Sequence, residues 1–193
     1  MKPGAAAAVG GLAGLTWAAG FRGYMAALAG PDSVVTWYGT VVGVLAPATA
    51  VGALFGWAEH RRRTGQDLRY RRAIAAAPVI IGIVPLTKPG ALATLRENGQ
   101  GSAAGGVALA AIGGGYALAG RGPAWTRIVT GILATAVAAG TAASVPTIGG
   151  RRLSLTKPQG ALTAILGAAS VLTFALAASV PFSGRDRRDR SAG

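Results

Sequence analysis

The sequence predicts an all-α fold: a bundle of six transmembrane helices with both termini in the cytoplasm. Hydrophobic residues make up 51% of the 193 residues and charged residues only 13%, whereas a typical soluble domain has about 25% charged residues. The charges lie in short clusters separated by long uncharged apolar stretches. Arginines flank these stretches, as they do in polytopic membrane proteins.

Six apolar stretches approach or exceed the roughly 20 helical residues that cross a bilayer. They form one transmembrane domain over residues 1–182, and the basic tail at 183–193 is predicted to be disordered. The predicted spans are residues 5–30, 34–58, 73–87, 103–120, 124–145 and 160–181.

The first span is expected to be a retained helix rather than a cleaved signal peptide, because apolar sequence continues past Arg22. A tight turn at 31–33 follows it, and Asp32 or Ser33 is available there to cap the second helix.

The third span is the shortest, and it contains Pro78 and Pro85. Proline interrupts the hydrogen-bond ladder of a helix, so we expect this span to be short or kinked. The segment 88–102 after it is partly apolar, and it is compatible with a loop, a helix extension or a re-entrant turn.

The distribution of basic residues predicts the orientation in the plasma membrane. If the N-terminus is inside, thirteen of the nineteen Lys and Arg residues lie on the inner side and five on the outer side. The positive-inside rule favours this arrangement. Nucleic-acid binding is not expected, because no basic patch is interleaved with aromatic residues in a polar domain. Six arginines in the loop at 59–72 are predicted to contact anionic lipid headgroups: Arg61, Arg62, Arg63, Arg69, Arg71 and Arg72.

The tetrapeptide Leu-Thr-Lys-Pro occurs twice, at 86–89 and at 155–158. Both copies are predicted on the outer side, with Thr87 and Thr156 as N-caps and the prolines in the first turn of the next helix. Two explanations stay open: duplication of a helical hairpin, or independent reuse of a favourable helix start at the membrane interface.

Four charged residues form a candidate site for an anion or a partner protein. An arginine within a membrane span costs about 2.5 kcal/mol or more at the bilayer centre, so Arg22 either snorkels outward or is buried in a ligand or partner site. Lys88 and Lys157 either snorkel among the headgroups or hold one anionic group together. Glu97 is either solvated in a loop or paired with one of these cations.

Trp17, Phe21 and Tyr24 lie on one face of the first helix, because their spacing is i, i+4, i+7. With Trp37 and Tyr38 they are expected to form part of an aromatic belt at the outer membrane interface.

Small residues at helical spacing predict close helix packing, either within the bundle or between copies in a homo-oligomer. The candidate seams are Gly10 with Gly14, Gly106 with Ala110 and Gly114, and Gly131 with Thr135.

Few residues are available for catalysis or for holding a cofactor. The chain has no cysteine and one histidine, so disulfides and thiolate metal sites are excluded and no cofactor or metal is predicted. Glu59 and His60 are interpreted as the end of the second span, with Glu59 pairing locally with arginines. The alternative, a catalytic carboxylate–imidazole pair, is disfavoured because adjacent helical residues point about 100° apart. The sequence therefore predicts a protein without enzymatic activity.

Three stretches resemble uncharacterised multi-pass membrane proteins of actinobacteria: FRGYMAALAGPDSVVTW at 21–37, LFGWAEHRRRTG at 54–65 and GGYALAGRGPAW at 114–125. The resemblance implies the same multi-pass topology and adds no catalytic residue.

These observations favour an accessory or scaffold subunit of the plasma membrane that binds the lipid bilayer and either a membrane-protein partner or a second copy of itself. The alternative is a small permease, flippase or channel for an anionic or lipid-linked solute, lined by Arg22, Lys88 and Lys157. An enzyme acting on a lipid is a third hypothesis. A polar cavity faced by Arg22 would favour the alternative, and an exposed seam without a cavity would favour the scaffold.

Overall fold

A computed structural model describes residues 1–66, 68, 70–87 and 102–183, without the side chains at 85, 86 and 102–104. This part of the chain is helical and contains no strand. Residues 88–101 and the tail from 184 onward lie outside the described residues. The predictions made for the segment 88–102 and for a disordered tail therefore fall almost entirely outside the described part of the chain. The α-helices are α1 (Pro3–Ala29), α2 (Ala46–Arg63), α3 (Arg71–Ala76), α4 (Val79–Ile83), α5 (Ser102–Leu118), α6 (Ala124–Gly149) and α7 (Pro158–Ala178).

Shorter helical segments extend several of these helices. A π-helix leads directly into α2, and 3₁₀ turns follow α1, α4 and α6, with one more close to the end of α7. Their bounds are Trp37–Leu45 for the π-helix and Gly30–Asp32, Val84–Thr87, Gly150–Leu153 and Val180–Ser183 for the 3₁₀ turns.

Four stretches of the described chain are helical, long and apolar enough to cross a membrane. These stretches are compatible with a membrane protein, which the composition also predicts. A fifth apolar helix, Gly105–Leu118, is shorter. The four long stretches are Pro3–Asp32, Trp37–Arg63, Ala124–Leu153 and Pro158–Ser183.

The third predicted span is broken, as its prolines predict. The segment 71–87 consists of α3, α4 and a 3₁₀ turn, and Pro78 is the N-cap residue of α4. None of these pieces alone is as long as the other predicted spans.

Two predicted caps are wrong. The second helical stretch is capped by Thr36, whose Oγ1 accepts a hydrogen bond from the Gly39 N–H at 2.9 Å, and not by Asp32 or Ser33. At α7 the N-cap residue is Lys157, and Thr156 instead shares a hydrogen bond with the Ser154 hydroxyl at 2.9 Å. In both cases the capping residue lies later in the chain than the predicted one.

Helices α1 and α2 form an antiparallel hairpin with direct backbone contact. A Cβ added at Gly52 would collide with the carbonyl oxygen of Gly10, so neither helix tolerates a side chain at this crossing. The seam predicted at Gly10 and Gly14 therefore packs within the bundle, against α2. The same contact recurs at two further pairs, Gly14 with Ala48 and Gly56 with Ala6.

Polar contacts group the loops at two ends of the bundle. At the first end Arg71 donates hydrogen bonds to the carbonyl oxygens of Pro181 (2.8 Å) and Phe182 (2.6 Å), and Arg121 donates to Phe182 at 3.4 Å. These contacts join the start of α3, the loop after α5 and the segment after α7. We call this the basic end.

At the second end the loop after α6 meets the turn after α1. Arg152 donates a hydrogen bond to the carbonyl oxygen of Leu28 at 3.1 Å, where a cation is favourable beside the C-terminus of α1. The hydroxyls of Tyr38 and Thr87 are 3.0 Å apart. We call this the turn end. Thr156 follows Arg152 closely in the chain, so the described threonines of both Leu-Thr-Lys-Pro copies lie at the turn end.

Candidate functional site: a cavity beside Arg22

A cavity of about 690 Å³ lies between α1, the π-helix, α4, α5 and α6. Along α6 its wall extends from Ile148 to Val137, which is about 16 Å of helix. The volume falls in the range of small-molecule sites. Apolar side chains form much of the wall: Phe21, Met25, Leu28, Val44, Ile81, Val107 and Val137.

The Arg22 side chain, partly buried, lines this cavity. Its one short hydrogen bond runs from Nη2 to the carbonyl oxygen of Val34 at 2.8 Å. Its contacts with the hydroxyls of Ser33 and Thr40 are 3.4 Å long, beyond the usual 2.7–3.2 Å. A guanidinium has five N–H donors, so Arg22 retains donor capacity for a further acceptor.

No carboxylate among the described residues lies within 4.0 Å of Arg22. Asp32 lines the same cavity but forms no ion pair with Arg22. The positive charge of Arg22 is therefore not neutralised by a described side chain. An uncompensated guanidinium in a largely apolar cavity favours an anionic ligand.

The π-helix contributes Tyr38, Gly39, Gly43 and Val44 to the cavity wall. Pro47 follows in the first turn of α2 and has no N–H to continue an α-helical hydrogen-bond ladder back to Gly43. Wide π-helical turns occur frequently at functional sites. This element has no signature in hydrophobic periodicity, so the sequence does not predict it.

Two glycines leave the cavity open. A Cβ placed at Gly106 of α5 or Gly140 of α6 would meet no heavy atom of another described segment within 4 Å, and both residues line the cavity. Closer to the basic end the same two helices touch, because a Cβ at Gly113 would lie 3.5 Å from Thr130.

The other residues predicted for an anion or partner site have different positions. Lys157 is exposed at the N-cap of α7 and is not part of the cavity wall. Lys88 and Glu97 lie outside the described residues. Sequence reasoning missed Asp32, Ser33 and Thr40, which are short polar residues in and after a turn and carry no distinctive spacing.

The aromatic stripe of α1 packs inward, so its assignment to an outer belt is wrong. The Trp17 indole N–H donates to the Ser170 carbonyl oxygen at 2.8 Å, and its ring centroid lies 4.6 Å from that of Phe174. Phe21 and Tyr24 are each only 5% exposed. Helical spacing places three residues on one face but does not identify the neighbour of that face.

Trp37 is 84% exposed and Tyr38 is partly exposed, both at the turn end. Their positions suit residues at a membrane interface.

Glu59 pairs locally with arginines, as predicted. Its carboxylate accepts from Arg62 at 2.7 Å and from Arg63 at 2.6 Å. The guanidinium of Arg61 lies 5.1 Å from the centroid of the Trp57 ring. No cluster of three or more His, Cys, Asp or Glu residues that suits a metal occurs in the described ranges.

The remaining arginines predicted to contact lipid headgroups differ in their surroundings. Arg71 contacts the carbonyl oxygens after α7, whereas Arg72 is exposed. Arg69 lies outside the described residues. Arg63 has 75% of its side chain exposed and remains accessible beside Glu59.

No protein-family model matches the chain, and no curated protein or solved structure is significantly similar to it.

Proposed function

We propose that this chain is a plasma-membrane protein whose Arg22 cavity binds the anionic group of an anionic or lipid-linked solute, as a small permease, flippase or channel would. The observation that carries the proposal is Arg22 itself, which lines a cavity of about 690 Å³ without a described carboxylate within 4.0 Å. An accessory or scaffold subunit would not require such a cavity. The accessory role therefore stays a prediction from the sequence, and the cavity favours the alternative.

The proposal includes six crossings with both termini in the cytoplasm. Four crossings are the long apolar stretches, α5 supplies a fifth and the broken segment 71–87 supplies the sixth. The contacts of Arg71 at the basic end and of Thr87 at the turn end support the broken segment as a crossing. The positive-inside rule favours a cytoplasmic basic end. The turn end, where Asp32 and Ser33 line the cavity, would then face outward.

The absence of cysteine from the chain makes this topology simple to test. Thr156→Cys places a thiol at the exposed turn end, and Thr64→Cys places one at the exposed basic end. In intact cells a membrane-impermeant maleimide is expected to label Thr156→Cys alone, and Thr64→Cys only after permeabilisation. The opposite pattern would reverse the orientation.

Anion binding is tested with lysophosphatidylglycerol, a single-chain anionic amphiphile, on the full chain in nanodiscs. Native mass spectrometry or a thermal-shift titration measures the affinity. Loss of charge-assisted hydrogen bonds in Arg22→Gln is expected to weaken binding about tenfold or more.

Two glycine-to-leucine substitutions, one inside and one outside the cavity wall, provide the control. Gly140→Leu projects a bulky side chain into the cavity and is expected to weaken binding, whereas Gly105→Leu adds the same side chain at an open position outside the cavity wall. Unchanged affinity in both Arg22→Gln and Gly140→Leu would overturn the proposed function.

A further inference from the structure

Two opposite charges line the Arg22 cavity without pairing. Asp32 and Arg22 both belong to its wall, yet their charged atoms are more than 4.0 Å apart. The two residues are close in the fold, because Ser33, next to Asp32, lies 3.4 Å from the Arg22 guanidinium. A purely structural role for Asp32 as the counter-ion of Arg22 would bring the two groups into contact.

The Asp32 carboxylate has no described partner of its own. No described residue donates a hydrogen bond to it, and it forms no described ion pair. The nearby cation Arg152 donates instead to the carbonyl oxygen of Leu28 and is not part of the cavity wall. The carboxylate is exposed on the 3₁₀ turn Gly30–Asp32, where a ligand entering the cavity from the turn end would pass it.

We propose, on the basis of the function proposed above, that the ligand is a zwitterionic amphiphile whose head carries a phosphate and a primary ammonium group. The phosphate accepts hydrogen bonds from Arg22, and the ammonium donates to Asp32 at the turn end. Such a head satisfies both charges at once, whereas a purely anionic head meets repulsion from Asp32.

The wall of the cavity specifies the rest of the molecule. Away from Arg22 and Asp32 it is lined mainly by apolar side chains from α1, α4, α5 and α6, over about 16 Å along α6. A hydrocarbon chain fits this environment, because it leaves no polar group without a hydrogen-bond partner. The geometry therefore suits a single acyl chain below a phosphoethanolamine head.

The test compares two ligands that share the acyl chain and the phosphate. Lysophosphatidylethanolamine carries the ammonium, and lysophosphatidylglycerol does not. For the native chain in nanodiscs we expect about tenfold tighter binding of the ethanolamine lipid, as one charge-assisted contact would provide. In Asp32→Asn this preference is expected to fall to about threefold or less, through weaker binding of the zwitterion and tighter binding of the anion.

A matched control neutralises a carboxylate outside this cavity. Glu59→Gln at the basic end is expected to keep the full preference, and melting temperatures confirm that each variant is folded. Equal binding of the two lipids by the native chain, or an unchanged preference in Asp32→Asn, would overturn the zwitterion inference. If both lipids still lose affinity in Arg22→Gln, the proposed function survives that result. If neither lipid loses affinity in Arg22→Gln or in Gly140→Leu, the proposed function itself fails.

Discussion

The α1–α2 hairpin and the Arg22 cavity both depend on glycine, for opposite physical reasons. At the hairpin Gly10 and Gly52 bring two backbones into contact, and no Cβ fits between them. At the cavity the described part of the chain places no heavy atom of another segment within 4 Å of a Cβ at Gly106 or Gly140. In the first region the missing side chain allows contact between helices, and in the second it leaves space.

This difference separates a rigid part of the molecule from a part that can accept a ligand. Within lipid, helices associate through close packing rather than through exclusion of water, so backbone contact stabilises the hairpin. The cavity has no such contact on the sides formed by Gly106 and Gly140. Substituting glycine by alanine at chosen positions therefore measures how closely each region is packed.

The largest effect is expected at the hairpin. Gly52→Ala places a methyl group against the carbonyl oxygen of Gly10, and backbone atoms on both sides leave no flexible group to move. Overpacking of this kind costs about 3 kcal/mol or more. Equilibrium unfolding in mixed micelles with increasing SDS measures the free energy of unfolding. Gly23→Ala, on α1 with open space around it, is the control and should be neutral or stabilising. A neutral Gly52→Ala would mean that the two helices are not in backbone contact.

The sequence predicts much of this hairpin but not its pairing. Gly10 and Gly14 are recognisable from their spacing, whereas their partners in α2 are not. With 31 glycines in the chain, small residues four apart occur too often to identify which two helices meet. The positions of the long helices follow from length and hydropathy. Their observed ends differ from the predicted ends by a few residues; α6, for example, continues through Pro146 to Gly149.

The candidate site was predictable only in part. Arg22 stands out because a charge within an apolar span is costly, and the structure places it in a cavity wall. The cavity lies where five separate helical elements leave space between them. No local sequence pattern predicts such a space. The role suggested for Asp32 likewise depends on which cavity it lines, because an aspartate after Gly-Pro otherwise fits an ordinary turn.

An intermediate effect is expected where α5 meets its neighbours. A Cβ at Gly114 would lie 2.7 Å from the Cβ of Ala175 and 3.0 Å from the Cβ of Ala134. Here side-chain methyl groups rather than backbone atoms must move, so Gly114→Ala is expected to destabilise by about 1–2 kcal/mol in the same unfolding experiment. Combining it with Ala175→Gly, which removes the nearer methyl group, should recover part of the loss. An effect as large as that of Gly52→Ala would show that α5 is packed as rigidly as the hairpin.

The smallest effect, with the opposite sign, is expected at the cavity. Gly140→Ala introduces a methyl group into open space and replaces the residue that loses most conformational freedom in a helix. Both terms favour the folded chain, and the gain is expected to be about 0.5–1 kcal/mol. The added methyl group is too small to fill a cavity of about 690 Å³, so ligand affinity should change much less than in Gly140→Leu.

Loss of stability in Gly140→Ala would mean that other atoms occupy the space beside Gly140 in the folded protein. The cavity would then be packed like the hairpin, and the contrast between the two regions would fail. If Gly140→Ala gains stability and still binds the ligand, the two roles of glycine are separated in one chain. The same substitution, glycine to alanine, would then disrupt helix contact at Gly52 and leave the space at Gly140 available to a ligand.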